Sequence, residues 1–160
     1  MKLKELAPAG IPHALEKAER YRLLNDPAQA ESICRDVLAI EPAQQDALRA
    51  LILALTDQFG DSPGSSGPAR QHVAALHDEF ERAYYTGIVF ERETRAYLRR
   101  KNVVRSAAYD GFRHAMEWYE RAGELRPGDV DCVLRWNSCV RAIESERLEP
   151  ELAGPELPLE

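Results

Sequence analysis

The densest chemistry in this chain is a run of cations. Arg92, Arg95, Arg99, Arg100, Lys101 and Arg105 stand close together, opposed within the run by Glu93. Guanidinium groups grip carboxylates and phosphates with paired N–H donors. Such a run could therefore meet phosphate or an acidic partner. A solvated helix end, where cations offset the helix dipole, is the commoner explanation of such a run. The histidines offer less. His72 and His77 are five residues apart and do not stack on one helix face, and His13 and His114 are remote from both. The sequence contains no HExxH, no Glu-x-x-His, no GxSxG, no phosphate loop and no GxGxxG. Glu79, Glu91, Glu93 and Glu117 could form a carboxylate cluster only through the fold. Cys34, Cys132 and Cys139 make an odd set without a CxxC pair, a poor zinc site and a poor disulfide framework. The expectation is a protein without catalytic, metal or cofactor chemistry, carrying reduced thiols.

Bulk properties narrow the classes. The 160 residues suit one domain, and 44% hydrophobic with 30% charged residues suits a packed core under a wet surface. A formal net charge of −6 argues against a general nucleic-acid binder, which is usually basic over its contact face. The longest apolar stretch, residues 50–55, is far short of the roughly 20 that a membrane span needs. Met1-Lys2-Leu3-Lys4-Glu5 leads to Pro8 and Pro12 without the apolar core of a secretory signal. These features predict a cytoplasmic protein with no membrane partner.

The elements that must position these residues are helices. Helical periodicity runs through nearly the whole chain, and alternating strand patterns are absent. Helices are expected over 12–24, 27–40 and 45–58, divided by Asn25-Asp26-Pro27 and Glu41-Pro42. Residues 60–68, rich in Gly, Ser and Pro, read as a loop. Residues 69–102 are too long for one average helix and should break, near 78–81 or near Gly87. Further helices are expected over 106–125 and from an Asp129 cap to about 146. A flexible N-terminus over 1–10 and a flexible acidic tail over 148–160 frame a domain of residues 11–147.

Two helix endings repeat one another. Ala30, Cys34, Val37 and Pro42 have the same spacing as Ala115, Tyr119, Ala122 and Pro127. Ala18 with Tyr21, and Gly87 with Phe90, repeat a small-then-aromatic pair. This pattern resembles the tetratricopeptide repeat, with its period of about 34 residues. The pair at Gly87 favours a break near 78–81, with Gly87 inside a helix and packed against a neighbour.

The resemblance implies an all-α fold of antiparallel hairpins, about three to three and a half repeats, stacked as a right-handed superhelix. It implies a non-enzymatic adaptor that takes a peptide or protein segment with apolar and acidic features in a concave groove. The groove positions it implies include Arg49, Leu53, Tyr84, Ile88, Arg92, Arg95, Leu134 and Arg141, with Leu15, Glu19, Arg22, Thr56, Glu91 and Ser138 beside them. An RNA- or phosphate-associated repeat using residues 92–105 is the alternative. So is a homo-oligomer through the last helix, which lacks a hairpin partner unless Leu152, Leu157 and Leu159 cover it. Trp136 reads as core, and Asn137 as a hydrogen-bonding residue toward a neighbouring helix end.

Overall fold

The structure, a computed structural model, describes residues 1–60 and 66–151. A 3₁₀ turn, Pro8–Gly10, precedes α1 (Ile11–Leu23), α2 (Pro27–Ile40), α3 (Gln45–Asp57), α4 (Ser66–Ala74), α5 (Glu79–Leu98), α6 (Arg105–Leu125) and α7 (Val130–Ser145). Among the described residues there is no strand, and no helix is long and apolar enough to cross a membrane.

Local chemistry accounts for the boundaries. Asp26, Gln44, Asp78 and Asp129 accept hydrogen bonds from the first free backbone N–H groups of α2, α3, α5 and α7. The Asp78 cap places the break in residues 69–102 at the first of its two expected positions. Asn25 and Arg147 end α1 and α7 with positive φ. Each is followed by an N–H that reaches back five residues, Asp26 to Tyr21 and Leu148 to Ile143, as in the Schellman turn. That turn folds Leu148 into the core at 5% exposure. Leu148, the first residue of the expected tail, is thus part of the packed domain. Within the expected flexible N-terminus, Leu6 packs beside Ile11 and Val37. The hydrophobic tail positions Leu152, Leu157 and Leu159 lie outside the described residues, as does most of the loop at 60–68.

Each helix packs on the next in sequence, and the α5–α6 pair is the largest interface. Contacts also join α1 to α3 and α3 to α5. Small residues permit this. Ala30, Cys34 and Val37 are fully buried, as are Ala115 and Ala122, with Tyr119 at 1% exposure. Gly87 sits against the Tyr119 ring, and Gly111 against Thr94, so α5 and α6 approach closely at two levels.

Candidate functional site

Side chains from α1, α3, α5, α6 and α7 form a polar network of two adjoining clusters, one on Asp57 and one on Glu91. Arg22 on α1 donates from Nε to Asp57 at the end of α3, 2.9 Å away. Arg92 on α5 pairs with the same carboxylate, and its Nη1 also reaches Thr56 Oγ1 at 2.7 Å and the Leu53 carbonyl at 3.2 Å. Its neighbour in the chain, Glu91, is 2% exposed. Its carboxylate accepts from Arg95 Nε at 3.0 Å and from the Tyr119 hydroxyl at 2.7 Å, and Arg135 Nη1 stands 3.6 Å off. Arg95 continues to α7, donating to Ser138 Oγ at 2.9 Å.

Within this network four guanidinium groups share two carboxylates: Arg22 and Arg92 on Asp57, Arg95 and Arg135 on Glu91. The protonation energetics differ along the row. Burial holds the Arg92 guanidinium below its ordinary pKa, helped by the nearby charges of Arg135 and Arg22, and Asp57 does not offset this. At Arg135 burial is again the largest single influence and opposes the charge, but the Glu91 carboxylate and the Tyr84 and Tyr119 hydroxyls together outweigh it and raise the pKa. Burial, then the adjacent Glu91 charge, push the Tyr119 hydroxyl far above the usual phenol range, so it serves Glu91 as a donor.

Of the other expected groove positions, Tyr84 meets the row at Arg135 and Leu53 only through its carbonyl; the rest fall elsewhere. Arg49 is engaged by Asp46 and Glu81, the latter through two contacts of 2.9 Å. Tyr84 stacks on Phe80 with ring centres 5.8 Å apart, and Leu53 packs on the main core. Ile88 is 1% exposed and belongs to that core, so its place as a groove-lining residue is corrected. Ile88 shares a helix face with Glu91 and Arg95, but its short apolar side chain stays beneath them among core residues of α6 and α7. Leu15 packs with Ile11 and Val37, and Glu19 is exposed. Leu134 and Arg141 are exposed on α7 outside the network. The run at 92–105 is not one patch. Arg92 and Arg95 turn inward, whereas Arg99, Arg100, Lys101 and Arg105 stay exposed.

Sequence reasoning missed Asp57, the counter-ion at the centre of the row. Arg49, Leu53 and Asp57 are spaced by four, which puts all three on one helix face. That spacing was the available signal. The Tyr119 hydroxyl was also missed, because the ring matched a packing position.

On the α6–α7 side, Trp136, Cys132, Val133 and Asn137 line a cavity of about 360 Å³. Trp136 is half-buried, and its Nε1 is buried with no acceptor among the described residues. Asn137 makes no hydrogen bond to a neighbouring helix end among the described residues. Val130, Val133 and Leu134 leave α7 with an exposed apolar surface.

The three thiols are free and buried. Burial pushes Cys34 up to about 11, and Cys132 and Cys139 up to about 12, from an ordinary value of 9.0. The unfolded chain thus loses these protons first, so stability falls as pH rises from 9 toward 11. Urea unfolding at pH 8 and 10.5 is expected to show that fall. The difference between the two pH values should be smaller in Cys34→Ala. An equal difference in both proteins would remove Cys34 as a contributor.

Among the described residues no group of three or more His, Cys, Asp or Glu side chains could hold a metal ion. Set against known proteins, the chain matches no family model, no curated protein and no solved structure.

Proposed function

We propose that this chain is a non-catalytic binding module that holds an acidic segment of another protein along the row formed by Arg22, Arg92, Arg95 and Arg135. The carrying observation is the imbalance in that row: four partly buried cations against two carboxylates. Partly desolvated charges need compensation. A ligand carboxylate would supply it through charge-assisted hydrogen bonds. The alternation of helices supports a stacked-hairpin reading of the tetratricopeptide kind. In it α1, α3, α5 and α7 form the inner layer, and α2, α4 and α6 the outer. The two repeated signatures, buried at Ala30, Cys34 and Val37 and at Ala115, Tyr119 and Ala122, support the same reading.

Selection of peptides from a display library tests this. Enriched segments should be acidic, and their affinity should fall as salt rises. Arg95→Gln should weaken them about tenfold or more, since one hydrogen bond to a charged group contributes about 1.5–3 kcal/mol. Arg35→Gln, on the outer face of α2, should leave them unchanged. Enrichment of basic or purely apolar segments would overturn the proposal, as would equal affinity in a folded Arg95→Gln protein.

A further inference from the structure

Beside the polar row lies a smaller feature with its own chemistry. Where the end of α3 meets the last turns of α5, a cavity of about 220 Å³ is lined by Thr56, Asp57, Gly60, Arg92, Arg95 and Arg99. Three guanidinium groups thus face one space. Arg92 uses Nη1 for Asp57, Thr56 and the Leu53 carbonyl, and its Nε and Nη2 make no bond among the described residues. Arg95 uses Nε and Nη2, which leaves Nη1. Arg99 makes no ion pair or side-chain hydrogen bond among the described residues. Its Nη1 lies over Gly60, where an added Cβ would stand 3.3 Å away, so glycine leaves the guanidinium room at the mouth.

The charge count selects the ligand. Asp57 is already shared by Arg22 and Arg92, and Glu91 by Arg95 and Arg135. Those four arginines carry two positive charges more than their two carboxylates, and Arg99 adds a third. A single carboxylate supplies one negative charge. A phosphate monoester supplies about 1.5 to 2, with three strong acceptor oxygens. Planar N–H forks suit that group.

We propose that this cavity is a phosphate-monoester subsite, with Arg92, Arg95 and Arg99 as its donors. It deepens the reading of the inner row, and rests on that reading only for the source of the phosphate, a phosphorylated side chain of the docked segment.

The test uses the full chain and inorganic phosphate. Thermal unfolding in phosphate is compared with unfolding in sodium chloride at matched ionic strength. Phosphate is expected to raise Tm above the chloride value, because a ligand that binds only the folded state stabilises it. Arg99→Gln, at an exposed helix end, should fold normally and lose that increment. No increment in the wild type, or an increment retained in Arg99→Gln, overturns the subsite. Asp61 follows Gly60 in the sequence and is the rival occupant. If only Asp61→Asn shows a phosphate increment, the chain's own carboxylate fills the cavity and the subsite is again overturned.

A second arm distinguishes the source. An acidic peptide carrying phosphoserine should bind at least tenfold more tightly than its serine parent, and Arg99→Gln should erase that difference. A phosphate increment without any peptide binding keeps the subsite and removes the docking reading. Peptide binding indifferent to phosphorylation and to Arg99 does the reverse.

Discussion

Glu91→Ala is expected to lower the free energy of unfolding by about 3–5 kcal/mol, the usual cost of removing one partner from a buried ion pair. Glu91 is 2% exposed and receives Arg95, Arg135 and the Tyr119 hydroxyl. Without it two guanidinium groups repel one another across a half-buried space, and a buried phenol loses its acceptor. Glu91→Gln keeps the shape and one acceptor oxygen, so it should cost less. Tyr119→Phe removes only the hydroxyl, at about 1.5–3 kcal/mol for a bond to a charged group. Groups in one network are not additive, so Glu91→Ala with Tyr119→Phe should cost less than the sum of the two. Urea denaturation of the wild type and the four variants measures all of this. A loss below 1 kcal/mol for Glu91→Ala would mean that water replaces the carboxylate at little cost, and the network would then carry no structural weight.

Gly87→Ala should destabilise by about 1–3 kcal/mol, the range for overpacking a core, although alanine normally favours a helix over glycine by about 1 kcal/mol. The sign reverses because of one contact. A Cβ at Gly87 would stand 2.6 Å from Tyr119 Cε1 and 2.8 Å from Cδ1. The ring has nowhere to go: it is 1% exposed, and its hydroxyl is tied to Glu91 at 2.7 Å. The added methyl must therefore push α5 away from α6, across the largest interface in the molecule. Gly123→Ala supplies the control. It lies on α6 with no atom within 4 Å of the added Cβ, so the ordinary gain of about 1 kcal/mol should appear there. If Gly87→Ala stabilises as Gly123→Ala does, the helices are less tightly apposed than this contact implies.

Both predictions run through Tyr119, which shows where sequence reading reached its limit. The spacing from Ala115 through Tyr119 to Ala122 announced a packed helix face, and the pairing of Gly87 with Phe90 announced a close approach. Those are local periodicities, and local periodicity survives in a linear string. The hydroxyl of Tyr119 is different. Its partner is 28 positions away, and no spacing rule connects the two. Arg92 and Arg95 were legible as cations with groove positions. That each would be held by a carboxylate shared with another arginine was not.

Ile88 illustrates the same limit from the other side. It sits one turn before Arg92 and three residues before Glu91, so a one-dimensional pattern groups the three. In the folded chain Ile88 points between Glu91 and Arg92 on one helix face; its short side chain is covered by α6 and α7, whereas the longer Arg92 side chain reaches Asp57 at the end of α3. Asp57 was within reach of a spacing argument, because it continues the Arg49–Leu53 face. The ending of α3 next to Arg92 gave that face its meaning.

By itself the sequence determined the helices, most of their boundaries and the small residues that let them pack. These follow from caps, prolines and apolar periodicity acting over a few residues. Tertiary structure alone decided which charges meet. Ion pairs between helices depend on rotation and depth, and those are set only when the apolar faces have found one another. The run of cations at 92–105 changed accordingly. It reads as one patch in the sequence, and the packing of α5 divides it into an exposed end and an inner pair, Arg92 and Arg95, held by Asp57 and Glu91.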